Sequence, residues 1–98
     1  MHYLLIYTYI PEIMERRGAF RAEHLTLARQ YQDRNELLLG GVLTEPVDTG
    51  LLLFQGDGPE AAEAFAKADP YVKNGLVTKW QVRQWLTVVG RDAASPVQ

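Results

Sequence analysis

The chain has 98 residues, no cysteine and a formal net charge of −2. That length makes one domain, and the missing cysteine excludes disulfides, thiol catalysis and thiolate metal sites. The slightly negative balance leaves no electrostatic footprint for nucleic acid or an anionic membrane surface.

Tyr3 to Tyr9 is rich in aromatic and β-branched residues and is ended by Pro11, so it reads as a buried first strand. A helical pattern follows from Glu15 to Arg34, with Phe20, Leu27, Ala28 and Tyr31 as its apolar residues. Gly18 weakens its first turns and predicts a later start. Asn35, tolerant of the left-handed conformation, predicts its end. Glu36 to Leu43 is a second strand, and Gly40-Gly41 predicts a bulge or a close backbone approach. Thr44 to Gly50 is a polar turn region that leads to a third strand, Gly50 to Gln55, so the two strands form a hairpin.

Asp57-Gly-Pro-Glu60 carries the signals of a helix start: a capping aspartate, a proline in the first turn and a glutamate three residues on. Ala61, Ala62, Phe65 and Ala68 form a narrow apolar face. Pro70 stops this helix. Tyr71 to Gly75 reads as a connector, Leu76 to Val89 as a long last strand, and Gly90 to Gln98 as a flexible tail.

The order β-α-β-β-α-β is that of the ferredoxin-like α+β fold, a four-stranded antiparallel sheet with two helices on one face. It fills a domain over residues 1–89, with 90–98 as the tail. Leu4, Ile6, Leu38, Leu52, Phe54, Trp80, Val82 and Trp85 are more apolar strand residues than two alanine-rich helices can cover. A bare sheet face favours a homodimer in which the sheets meet. No secretory apolar region opens the chain and no apolar run approaches a membrane span, so the expected location is cytoplasmic, with no membrane partner.

His24 stands out chemically. At 100° per residue, Phe20, His24, Leu27 and Tyr31 share one face, which places an imidazole within the stripe that meets the core. A buried imidazole needs partners for both ring nitrogens. Asp69, which flanks the buried face of the second helix, is the candidate. A histidine so placed is either a core residue held by a carboxylate or a ligand-facing group. Asp69 itself can be a turn-forming Asp-Pro that bonds its own backbone, and that role is compatible with a bond to His24. Arg21, one turn before His24, is either a solvated helix residue or a clamp for a carboxylate or phenolate. Arg17 is a weaker candidate of the same kind. Tyr71 and Tyr7 can wall a pocket and supply one hydroxyl each.

Other chemistries fail on inventory. Ser95 is the only serine and sits in the tail, which leaves no serine triad. His2 and His24 form no helical metal pair, so no metal site is expected. Leu51-Leu-Leu-Phe54 has one aromatic and no basic residue, unlike the strands of an RNA-recognition sheet.

Arg21-Ala-Glu-His24, Leu37-Leu-Leu-Gly-Gly41, Ala66-Lys-Ala-Asp-Pro-Tyr-Val72 and Gly75, in this order, resemble the YCII-related family. The resemblance runs from about Met1 to Val88. It implies a ferredoxin-like fold, a dimeric α+β barrel, and a site built on the histidine and aspartate that are here His24 and Asp69. Val42 departs from the proline that the family often has after Gly-Gly. The leading expectation is a small cofactor-free enzyme, a lyase or isomerase, in which a His24–Asp69 dyad moves a proton on a small organic substrate. The alternatives are a non-catalytic dimer that holds a small metabolite and a purely structural dimer domain.

Overall fold

Antiparallel pairing joins four strands, β1 (His2–Tyr9), β2 (Leu37–Val42), β3 (Thr49–Gln55) and β4 (Val77–Trp85), in the order β2-β3-β1-β4. The computed structural model describes residues 1–97. Between the strands lie α1 (Ile13–Arg16), a 3-10 turn (Arg17–Ala19), α2 (Arg21–Asp33), α3 (Glu60–Ala68) and the single turn α4 (Pro70–Lys73). This is the α+β, ferredoxin-like arrangement that the order of elements predicts. Among the described residues no helix is long and apolar enough to cross a membrane.

The register sorts the strand residues. Leu5 pairs with Leu52 and Val82, Tyr7 with Gly50 and Trp80, and Tyr3 with Phe54, so these residues share the helix side. Leu5, Tyr7, Phe54, Phe65 and Leu76 are fully buried there. On α3 the buried face is Ala62, Phe65 and Ala66. The two alanines let the helix lie close to the sheet, and Phe65 contributes roughly 2–3 kcal/mol of burial. Leu52, Phe54, Trp80 and Val82, expected among the uncovered excess, therefore belong to the helix side. The outer face is built by Leu4, Ile6, Leu51, Leu53, Leu39 and Trp85, and Leu39 is 71% exposed.

The later start that Gly18 predicts is observed: α2 begins at Arg21, and the residues before it form two short turns around Gly18. A glycine there costs about 1 kcal/mol of helix propensity, which favours a break. Three local expectations need correction. Asp57 does not cap α3. The helix begins at Glu60, which puts Pro59 at the cap, and no side chain caps it. The bulge in β2 falls at Leu38, where the register with β3 shifts, and not at Gly40-Gly41. The connector after Asp69 contains α4. Pro70 has no N–H to lose and opens that new turn.

The end of α2 is as expected. Asn35 has φ of 61°, and the N–H groups of Asn35 and Glu36 reach back to the carbonyls of Gln32 and Tyr31. The last strand is shorter than predicted because β1 offers no pairing partner beyond His2, which faces Trp85. After it, Val88 accepts from the Val97 N–H, and the Thr87 hydroxyl lies 2.7 Å from His2 Nδ1 and accepts from the Ala94 N–H. Gln98, the last residue of the expected tail, lies outside the described residues.

Candidate functional site

Asp69 occupies the joint between α3 and α4. Pro70 forces the preceding residue out of the helical region, and Asp69 is extended, with φ −67° and ψ 123°. Its carboxylate turns inward and caps α4 by accepting from the Tyr71 N–H at 3.0 Å. The side chain is completely buried. Such a group costs several kcal/mol unless its oxygens are occupied, and here three donors converge on them. The Tyr7 hydroxyl donates to Oδ2 at 2.8 Å. The His24 ring places Nδ1 2.9 Å from Oδ1 and 3.0 Å from Oδ2.

His24 is held in three ways. Nδ1 faces the carboxylate, the ring stacks on Tyr71 at 3.9 Å with an interplanar angle of 4°, and Phe65 meets it edge-on at 6.1 Å. Because the carboxylate accepts, Nδ1 carries the hydrogen and Nε2 keeps its lone pair in the neutral ring. The side chain is 14% exposed, and its open edge lines a cavity of about 350 Å³ between α2 and the β2 end of the sheet. That volume suits a small organic molecule.

The cavity has a mixed lining. Leu25 and Ala28 of α2 and Leu52 and Val47 supply apolar surface, and Gly40 and Gly41 form part of its floor. A side chain at Gly40 would point over Leu52, whose nearest atom lies 3.6 Å from the added carbon. Gly40 thus leaves the floor of the cleft open. Val42 lies at the same rim. Arg17, Arg21 and Arg29 line the cavity, and no aspartate or glutamate does. Among the described residues no three His, Asp or Glu side chains converge as metal ligands.

The predicted site residues fall into two groups. His24, Arg21 and Tyr71 line the cavity. Asp69 and Tyr7 stand behind it, fully buried. Tyr7, expected as a pocket wall, contributes its hydroxyl to Asp69 instead, because its place in β1 aims it at the α3–α4 joint. Burial first, then the charge and hydrogen bond of Asp69, push the Tyr7 hydroxyl strongly upward from its ordinary range. Burial likewise raises Tyr71, opposed by Arg21 and Arg17.

Tyr9 and Arg29 were not singled out by sequence. Tyr9 lines the cavity. Burial, then Tyr71 and Asp69, push its hydroxyl up to about 12, with Arg17 opposing. It remains a donor at neutral pH. Its ring lies over Gly50: a Cβ there would collide with the hydroxyl and come within 2.9 Å of Cζ. The approach of the Tyr9 ring to Gly50 could be found only with strand register in hand. Arg29 is two helical turns after Arg21, a spacing that puts both near one face.

A family model described as the YCII-related domain matches residues 1–86. An uncharacterised protein of Haemophilus influenzae is 32% identical over 85 residues, which cover 78% of this chain and 87% of that protein. Among solved structures, the 5-chloro-2-hydroxyhydroquinone dehydrochlorinase of Burkholderia phenoliruptrix AC1100, in complex with 2,5-dihydroxybenzoquinone, matches with a TM-score of 0.73. It is 19% identical and the match covers 89% of this chain and 95% of that one, a likeness of fold. With the family model spanning nearly all of the sheet and both helices, this chain belongs to the YCII-related domain family.

Proposed function

We propose that this protein is a small cofactor-free enzyme that moves a proton on a small oxygenated organic substrate, with elimination as the reaction class. The observation that carries the reading is the His24–Asp69 contact at 2.9 Å, made by a ring whose other edge lines a cavity. Asp69 fixes the tautomer and the orientation of the ring. Nε2 then takes a proton from a hydroxyl, or from carbon beside a carbonyl. The electron pair moves into the conjugated system and expels a leaving group such as halide, with its own pair, from a saturated carbon, which in a chlorinated hydroxyhydroquinone is the chlorine-bearing carbon of the keto tautomer. His24 returns its proton to water. Arg21 and the Tyr9 hydroxyl face the oxyanion that develops and stabilise it. The fold is shared with an enzyme named as a dehydrochlorinase, which favours elimination over isomerisation.

The test is chloride release from chlorinated hydroxyhydroquinones, compared with solvent. The wild-type protein accelerates release, and His24→Ala lowers kcat by about 10²–10⁴, the usual worth of a positioned general base. Equal rates for a folded His24→Ala variant and the wild type remove His24 from the mechanism.

We infer as well that two copies pair through the outer sheet face, giving a dimeric α+β barrel. Leu39, Leu51, Leu53, Leu4 and Trp85 line one shallow apolar groove there. At ~25 cal/mol per Å², leaving several hundred Å² of such surface in water is unfavourable. The face is leucine on leucine, so a second copy is its natural complement. Light scattering at micromolar concentration gives a dimer mass, and Leu39→Glu, at an exposed position, gives a folded monomer. A wild-type monomer under those conditions ends this proposal.

A further inference from the structure

Three guanidinium groups, those of Arg17, Arg21 and Arg29, line the cavity beside His24, without a single carboxylate among the lining residues. The chain as a whole carries a net negative charge of −2, so this is a local segregation of positive charge. The arginine–carboxylate ion pair among the described residues is Arg34 with Glu36. None of the three arginines is therefore neutralised by the protein. Cations that share one cavity repel each other. The arrangement becomes favourable when an anion enters.

The positions divide the three. At 100° per residue, His24 and Arg29 flank the cavity-lining face of α2, with Arg21 between them. Arg17 and Arg21 lie at the His24 end, close enough to act on the hydroxyls of Tyr9 and Tyr71. Arg29 is eight residues beyond Arg21, about 12 Å along the helix axis, beside Gln32, which also lines the cavity. The cleft thus has a cationic group at each end. One end has the proton acceptor and the tyrosine hydroxyls, and the other has a guanidinium and an amide, a set suited to a planar carboxylate.

We propose that the ligand of this cavity is a small organic dianion, with one oxyanion at the Arg17–Arg21 end beside His24 and a carboxylate at Arg29. The oxyanion end rests on the proton-transfer reading given above. The carboxylate end does not.

Three probes with the same ring and para substituents separate the contributions: hydroquinone is neutral, 4-hydroxybenzoate has one charge, and terephthalate has two. Their affinities are measured by calorimetry on the whole protein at low and moderate salt. The expected order is hydroquinone weakest and terephthalate strongest, with about tenfold or more between neighbours, the worth of one charge-assisted hydrogen bond. Added salt compresses the series. Arg29→Ala, at an exposed helix position, weakens 4-hydroxybenzoate and terephthalate by about tenfold and leaves hydroquinone unchanged. His24→Gln preserves the order. Equal affinity for hydroquinone and terephthalate, no binding of terephthalate at millimolar concentration, or an Arg29→Ala variant that treats all three alike would overturn the inference. If the charge series holds while a folded His24→Ala keeps full turnover, the dianion proposal survives and the general-base reading fails. If the series is flat while His24→Ala loses turnover, the outcome is reversed.

Discussion

The hydroxyl of Tyr7 lies 2.8 Å from Oδ2 of Asp69, 62 positions away in sequence. The strand residue thereby supports the carboxylate from below while His24 meets it from the cavity side. Asp69 holds three elements at one point: β1 through Tyr7, α2 through His24, and its own α4 through the Tyr71 N–H. Its geometry is set by packing, and the histidine inherits that geometry.

Tyr7→Phe should lower stability by about 1–3 kcal/mol, the cost of leaving a buried charged acceptor short of one donor. The His24 bond to Asp69 persists in this variant. Nitrogen chemical shifts of the ring should therefore still show the Nδ1–H tautomer, and turnover should fall less than in His24→Ala. A variant as stable as the wild type would mean that the Tyr7 bond contributes nothing net.

Stability should fall with rising alkalinity. Tyr9 is pushed up to about 12 in the fold, against about 10 for a free tyrosine. A raised value means that the fold favours the neutral hydroxyl. That contribution is whole below pH ~10 and is lost as pH rises toward 12. Tyr7 is shifted in the same direction and extends the loss. Urea unfolding at pH 8, 10 and 11.5 checks it, and Tyr9→Phe should flatten the slope.

Asp69→Asn and Arg21→Ala should affect catalysis differently. Asparagine keeps the volume but brings an N–H₂ group toward Tyr7 or His24, so the ring loses its fixed tautomer. This should lower kcat by less than removal of His24 does, with melting temperature also reduced. Arg21→Ala should chiefly raise KM if its contact with the ligand is as strong in the ground state as in the transition state. Steady-state kinetics on folded variants separate these outcomes, and an unchanged KM in Arg21→Ala would place that arginine outside the binding contacts.

Gly40→Leu should close the cavity without harming the fold. The added carbon meets only the side chain of Leu52 at ordinary contact distance, and the backbone there is normal β-strand. Ligand affinity should drop by about tenfold or more as the floor is filled, with the melting temperature within a degree or two of wild type or above it. Unaltered binding would place the ligand elsewhere.

Much of this was readable in the chain. The aromatic and β-branched run from Tyr3 to Tyr9, the Asp-Pro joint and the Asn35 stop are local signals, and local chemistry decided them. His24 stood out because a polar ring on an apolar stripe needs a partner, and Asp69, flanking the buried face of the second helix, offered a carboxylate. What escaped depends on register and on distant neighbours. Tyr7 and Tyr9 both point to the helix side, yet one ends at Asp69 and the other over Gly50. Arg29 was not singled out, because sequence does not reveal that the space beneath α2 is left open at Gly40.

β2 is an edge strand of six residues that touches both sides of the molecule. Gly40 belongs to the cleft side, while Leu39 and Gly41 belong to the outer side. A glycine pair in an edge strand is the least constrained backbone in the sheet. The outer face and the cleft floor are therefore built on one short stretch of backbone. Under the proposed pairing of outer faces, assembly and ligand capture would be linked, and apparent affinity for a small molecule should then vary with the concentration of the protein itself.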